Sequence, residues 1–438
     1  MFLKNVVPVV SYKLANTRWI SHKIYSTSCR MSTMSCRLDS PWLMLPPSFK
    51  DDNEMVYNFY SLSENKVLSF NKRDPKDENP TLSPPDDSKI VGSSHGWLAL
   101  FDPSTYDFYL SNPLTRRHIK LPPMHNLPNP QVNLIDSIVS HGRVSKLIIS
   151  GSPHEDECRA IMNFGWTDTM AFCSPGRPTT EWTSFGNSLC EPLNKGDDPW
   201  YARSFEDFVY SARQKLFFCL TEQNSDELEG WDLTDPNSPR IDWLDETLLE
   251  DEYYPWLCKK KKSLALEKYY CRRLRYLVFS EESNRLFLVT RHLVEEMAPD
   301  GSCVEVRHDG ELHRYKSTNF PPNPYKTIGF DVHEIDREGR RLNYLEGCLD
   351  GMAMFVGHNH SFLISGVGDG DGIKPNSIYF TDDKEVTPRK WHREEFGGHD
   401  IGIFDNENKT ISSCYYPCDL KSFTKIVPAP IWFTPSLH

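Results

Sequence analysis

The sequence predicts an all-β fold, a single β-propeller of about six to eight four-stranded blades. Three observations carry this. Aromatic residues make up 12% of the chain, beside 32 Pro and 23 Gly, a mixture of strand formers and turn formers. Few long stretches show the 3.6-residue period of a helix. Several strand-like runs are apolar on both faces, among them residues 96–101 (GWLALF) and 285–289 (RLFLV). A strand apolar on both faces lies between neighbouring sheets, as it does in a propeller blade. At about 40–50 residues per blade, residues 39–438 hold about six to eight.

Residues 1–38 read as a leader. They contain none of the 61 acidic residues, yet carry Lys4, Lys13, Arg18, Lys23, Arg30 and Arg37. A basic, hydroxyl-rich, acid-free leader has the composition of an organelle transit peptide. Leu3, Val7, Val10 and Leu14 fall at helical spacing beside Lys4, Ser11 and Arg18, in a modest amphipathic helix weakened by Pro8. The run Lys23-Ile24-Tyr25-Ser26 is similar to a mitochondrial presequence cleavage site with Lys in place of Arg, which puts the cut after Tyr25. Lys/Arg and large apolar residues outweigh Ser/Thr, so the expected address is mitochondrial. Val6-Val7-Pro8-Val9-Val10 is far too short to cross a membrane.

The chain carries a formal charge of −12, and without the six leader cations −18. A body so acidic repels phosphates, so general nucleic-acid binding is not expected. The 12 cysteines are irregularly spaced and read as reduced, mostly buried thiols. Asn359-His360-Ser361 and Asn408-Lys409-Thr410 fit the glycosylation pattern, which has meaning only in a secreted protein.

The body reads as hairpins. Strands are expected at 56–62 and 66–70 around Ser63-Glu64-Asn65, and at 97–101 and 108–110 around Asp102-Pro103-Ser104-Thr105. Asn112-Pro113-Leu114-Thr115 turns the chain into 117–121. Further pairs are 303–307 with 311–315 around Asp309-Gly310, 331–335 with 341–345, and 401–404 with 410–416. Residues 72–88 read as an exposed loop inside the first blade. Residues 191–198 and 318–325 have similar composition, and 246–266 has room for a short helix.

These strands carry recognisable text. Gly92-Ser93-Ser94-His95-Gly96-Trp97, Asn112-Pro113-Leu114-Thr115 and Lys120-Leu121-Pro122-Pro123 resemble the plant KIB-type β-propeller family, an F-box-associated domain once catalogued as domain of unknown function 295. So do residues 349–361 (LDGMAMFVGHNHS), 374–383 (KPNSIYFTDD), 400–404 (DIGIF) and 428–435 (PAPIWFTP). The resemblance spans roughly residues 40–435. It implies a propeller that recognises a target. Most members carry an N-terminal F-box, a helical module that joins a ubiquitin-ligase scaffold. Here Ser40-Pro41-Trp42-Leu43-Met44-Leu45-Pro46-Pro47 stands in its place, and two prolines behind a short apolar run do not make a helix. The chain thus resembles the organellar branch that lacks the F-box.

Several constellations have site-like chemistry. Gly368-Asp369-Gly370-Asp371-Gly372 lacks the Glu and ligand spacing of a calcium loop and reads as a turn. Cys414 and Cys418, with His392 and His399 upstream, mix zinc-type ligands without a second Cys pair. Four apart on a strand, the two thiols are expected to enter one core. His358-Asn359-His360 reads as a tight turn with Asn359 in the left-handed conformation. Lys259–Lys262, Lys268, Arg272, Arg273 and Arg275 alternate with Tyr269, Tyr270 and Tyr276, a mixture able to grip single-stranded RNA. The plainer expectation is a solvated loop leading into a strand at 276–280. Ser93-Ser94-His95 sets hydroxyls beside an imidazole, but neighbours on a strand face opposite sides. No Gly-X-Ser-X-Gly, Walker or His-Glu-X-X-His motif occurs.

The expectation is therefore a non-enzymatic propeller, imported into mitochondria, that binds a macromolecule, a protein, through one face. No catalytic, metal or cofactor residue is assigned and no membrane insertion is expected. A ubiquitin-ligase substrate receptor is the alternative, and a propeller hydrolase a more distant one.

Overall fold

A computed structural model describes residues 40–50, 54–73, 83–123, 127, 144–164, 169–177, 181–186, 204–222, 227–245, 255, 271–294, 324–368, 371–383, 396–422 and 425–437. All belong to the unit Cys36–His438. The expected leader helix and cleavage site, the hairpin at 303–315, the segment 191–198 and nearly all of 246–266 lie outside the described residues.

The chain opens with a meander of β1 (Trp42–Phe49), β2 (Met55–Ser61) and β3 (Lys66–Asn71). Blade I follows as β4 (Lys89–Ser94), β5 (Trp97–Asp102), β6 (Asp107–Asn112) and β7 (Arg117–Leu121). Blade II is β8 (Val144–Ile149), β9 (Ala160–Phe164), β10 (Thr169–Cys173) and β11 (Thr183–Phe185). Blade III is β12 (Ser204–Ser211), β13 (Leu216–Glu222), β14 (Leu228–Asp232) and β15 (Arg240–Asp245). Blade IV is β16 (Cys271–Ser280), β17 (Arg285–Val294), β18 (Lys326–Asp336) and β19 (Arg341–Tyr344). Blade V is β20 (Ala353–Val356), β21 (Phe362–Ile364), β22 (Ser377–Phe380), β23 (Gly402–Asp405) and β24 (Thr410–Ser412). The last strand, β25 (Ile431–Phe433), pairs with β1 and completes blade VI in the order β25-β1-β2-β3. Among the described residues this makes six sheets, five of four strands and one of five. The protein is a single six-bladed all-β propeller, within the expected range. Blade V departs from the simple meander, because β20 and β22 pair in parallel with β21 beyond β20.

The core is divided among the seams between blades, which is why the strands are apolar on both faces. Trp97, Phe101 and Phe108 of blade I pack on Leu147, Ile149 and Met162 of blade II. Equivalent clusters join II to III, III to IV, IV to V, V to VI and VI to I. In the last of these Trp42, Phe59 and Phe433 meet Leu98, with Phe59 and Phe433 at a centroid distance of 4.9 Å.

One turn recurs. A Ser, Asp or Asn ends a strand, its side-chain oxygen accepts backbone N–H groups two or three residues on, and the fourth residue on takes positive φ. The pairs are Ser61/Asn65, Asp102/Tyr106, Asn112/Arg116, Ser211/Lys215, Ser280/Asn284, Asp336/Arg340 and Asp405/Lys409. The side-chain acceptor fixes the turn, and the left-handed residue brings the chain back in register.

Several expectations need correction. Residues 72–88 join β3 to β4, two different blades, and Lys72 is buried, its ammonium 2.8 Å from Asp86. The segment Trp42–Phe49 is a strand, because Pro46 and Pro47 fall where the register with β2 shifts between Leu45 and Ser48, a bulge that needs no ladder N–H. The strand expected at 410–416 stops at Ser412.

Candidate functional site

Among the described residues, polar side chains join blades at the ring axis and at the seam between blades IV and V. The axis-facing strands β4, β8 and β12 share a device, a register shift between Ile90 and Gly92, Val144 and Lys146, and Phe205 and Asp207. A bulge twists a strand and re-aims its side chains. At Gly92 it brings two blades so close that a Cβ would lie 1.8 Å from the Leu147 carbonyl oxygen. At the other two it sets up buried ion pairs. Lys146 Nζ of blade II reaches Asp207 Oδ1 of blade III at 2.7 Å, and Asp207 Oδ2 accepts the Leu277 N–H of blade IV at 2.8 Å. Arg275 Nε bonds Glu206 Oε2 at 2.6 Å, while the Arg275 N–H bonds Oε1. Burial raises the Asp207 carboxyl and the Lys146 ammonium pulls it back.

The segment 357–361, between β20 and β21, reaches across the axis. Asn359 forms a parallel bridge with Ser93 of blade I, and the His360 N–H donates to Ser93 O at 2.8 Å. On the far side the Tyr210 N–H of blade III donates to His360 Nε2 at 3.1 Å. That bond makes Nε2 an acceptor and leaves the ring proton on Nδ1. The His95 and His360 rings lie 5.6 Å apart. Burial lowers His95 to about 4, and burial with the neighbouring His95 and Lys146 drives His360 well below the usual range. Both imidazoles are therefore neutral near pH 7.

The second region is a closed network. The fully buried Arg291 guanidinium donates to Thr327 Oγ1, Tyr276 Oη, Thr381 O, Asp400 O and Asp400 Oδ2 at 2.6–3.3 Å. Tyr276 and Tyr325 donate in turn to Asp383 and Asp382. Burial and the Asp400 charge raise Asp382; burial with Asp383 raises Tyr276 and burial with Asp382 raises Tyr325, so both phenols stay protonated donors. His399 accepts the Gly397 N–H on Nδ1 and bonds Tyr325 O through Nε2. It is the neutral Nε2–H tautomer, so its 3.9 Å approach to Asp382 is not a charged pair.

Most residues singled out from sequence serve other ends. Arg272, Arg273 and Arg275 are not in a loop but in β16, with Arg275 buried against Glu206. Lys259–Lys262, Lys268, Tyr269 and Tyr270 lie outside the described residues. Cys414 and Cys418 follow β24 in a loop and so do not share a strand face; Cys418 Sγ donates to Ile401 O, and burial raises Cys414 to about 12. His392 lies outside the described residues, and His399 is engaged elsewhere. Asn359 is absent from the positive-φ residues, because bridging to Ser93 keeps it extended. His95 does take positive φ, in the turn after β4. Ser93 Oγ and His95 Nε2 are both buried without a hydrogen-bond partner, so they are not bonded to each other. Asp371 accepts the Gly368 N–H in a turn. Among the described residues no three His, Cys, Asp or Glu are grouped to hold a metal ion, and no helix is long and apolar enough to cross a membrane.

Sequence reasoning missed Arg291, Asp400 and Lys146–Asp207. An Arg in the middle of an apolar strand, as Arg291 is in Arg285–Val294, is the one signal that marked any of them. Chemically these groups fasten blades: cations meet anions, phenols meet carboxylates, and the imidazoles are uncharged.

The KIB1-4 beta-propeller family profile matches residues 59–405. No curated protein matches the chain in sequence. Among solved structures it is similar to the Cps50 (Swd1) β-propeller domain of Myceliophteria thermophila, at 9% identity and a TM-score of 0.32 over 85% of this chain and 88% of that one. It is similar to a duf4221 family member from Bacteroides vulgatus, at 9% identity and 0.33 over 87% and 91%. A third is a putative 6-phosphogluconolactonase from Bacteroides uniformis, at 11% identity and 0.31 over 91% and 98%. With the family profile covering most of the propeller, the chain belongs to the KIB1-4 beta-propeller family.

Proposed function

We propose that this propeller is a non-catalytic recognition protein, imported into mitochondria through residues 1–38, that holds a protein partner on the loops of one face. One observation carries the reading. Among the described residues, three sets of buried polar groups of the kind a catalytic centre draws on are used to join blades: Arg291 with Asp400, Lys146 with Asp207, His360 with Tyr210. The blades form a ring of strands, the kind of scaffold whose connecting segments carry binding residues in many proteins. The family's use of this fold for recognition and the acid-free leader support the rest. A ligase-receptor role is the second reading; against it stands the absence of an F-box pattern at Ser40–Pro47, where Trp42–Phe49 pairs with β2 and β25.

The test is proximity labelling and pull-down from isolated mitochondria, with the chain tagged at its C-terminus and expressed with and without residues 1–38. The full chain is expected in mitochondria with an enriched protein partner, and the shortened chain in the cytosol. An unchanged cytosolic signal from both, with ligase adaptor recovered, overturns the reading in favour of the second.

A further inference from the structure

Where the segment 357–361 crosses the axis, polar atoms are sealed from solvent without partners. They are Asn359 Oδ1, Ser361 Oγ, Ser93 Oγ and Thr381 Oγ1, on residues 0–2% exposed, together with His95 Nε2. Native interiors leave few such atoms unpaired, and an unpaired buried acceptor or hydroxyl is costly.

Four of the five belong to one place. Across a parallel pair, facing residues send their side chains to the same side, so Ser93 and Asn359 share a side, and Ser361, two residues on, shares it too. Gly357, two residues before, has no side chain. The position of its absent Cβ lies 2.1 Å from Thr381 Oγ1 and 3.2 Å from Asn359 Oδ1, so two of the orphaned atoms flank the bare α-carbon. His95 stands apart from them, its ring beside that of His360, which alternates to the other side of the segment. The Asn359 amide orientation is fixed, because Nδ2 donates to Phe355 O and His360 O and leaves Oδ1 as the orphan.

We propose that this spot is an internal hydration site, in which ordered water bridges Asn359 Oδ1, Thr381 Oγ1, Ser93 Oγ and Ser361 Oγ and fastens the crossing segment to blades I and V. The donor set decides the ligand class. It is neutral: three hydroxyls and an amide oxygen, without a carboxylate. With no carboxylate to balance a cation and no ammonium or guanidinium to balance an anion, the set favours a neutral ligand. Water both donates and accepts, and a buried water makes two to four such bonds.

The test pairs a high-resolution crystal structure of the full chain, from crystals also soaked in rubidium chloride, with the melting temperature of Thr381→Val. This variant keeps the side-chain shape and removes only the hydroxyl. Ordered density within hydrogen-bond distance of Asn359 Oδ1 and Thr381 Oγ1, with a melting temperature lowered by about 2 °C, is the expected result. Ser361→Ala supplies the same comparison if Thr381→Val fails to fold. The absence of density, with a melting temperature unchanged or raised because a solitary dipole has been removed, overturns the proposal. A rubidium anomalous peak at the site also overturns it, in favour of a monovalent cation.

Discussion

Arg291 is tolerated in a dry seam because each of its five N–H groups has an acceptor, spread over β16, β18, the residues after β22 and the residues before β23. Arg291→Met removes one charge and leaves Asp400 buried without it. The expected loss is roughly 3–5 kcal/mol in urea unfolding; a variant within 1 kcal/mol of the parent would show that blades IV and V do not depend on this residue. The axial imidazoles give a second outcome. Their affinity for protons in the folded chain lies below the ordinary value of 6.5, about 4 for His95. The unfolded chain therefore binds more protons in that window, and stability falls as pH drops from about 6.5 toward 4. The charged groups facing the pair are Lys146 and its partner Asp207. His95→Asn, which suits positive φ, is expected to flatten the dependence of melting temperature on pH across this window. An unchanged slope would assign the acid sensitivity to carboxylates elsewhere.

The recurring hairpin turn is the element that repeats most faithfully. Its acceptors were legible: Asp102, Asn112 and Asp405 sit where turn residues are expected. Its left-handed positions were not, because they are filled by Asn65, Tyr106, Arg116, Lys215, Asn284, Arg340 and Lys409 and never by Gly. The repeat lies in backbone conformation more than in residue type. Asp405 accepts the N–H groups of Glu407 and Asn408 and the Asn408 side chain, and these donors hold its carboxyl below the usual range despite burial. Asp405→Ala is expected to cost about 1–2 kcal/mol, read as a shifted urea midpoint with an unchanged slope. A changed slope would mean that the ring, rather than the turn, had been altered. The strands β1 and β16 were harder to read. Two prolines and three arginines argue against strands locally, but a bulge accommodates the first and the Glu206 carboxylate receives Arg275.

At the scale of the molecule, closure rests on a short strand. Ile431, Trp432 and Phe433 are buried at 0–2% exposure and pair with Met44, Leu43 and Trp42. Beyond them Ser436 O accepts Asn112 Nδ2 of blade I at 3.0 Å. Losing two large aromatic side chains from closed seams costs about 3–5 kcal/mol each, against a total stability of about 5–15 kcal/mol. Removal of residues 431–438 is therefore expected to abolish the sharp cooperative unfolding seen by near-ultraviolet dichroism. A truncated chain that melts as sharply and as high as the full one would place closure elsewhere.

The sequence by itself determined the fold class, most hairpins and the family, because strand burial on both faces and turn chemistry are local properties written in runs of a few residues. It also determined the acid-free composition of residues 1–38 on which the proposed address rests. The tertiary structure decided the blade number, the parallel pair in blade V and the partners of Arg291, Asp207, Asn359 and His360. Those residues meet groups far along the chain, 61 positions away for Asp207 with Lys146, 109 for Arg291 with Asp400 and 150 for His360 with Tyr210, and no local pattern marks which buried polar group will face which across a seam.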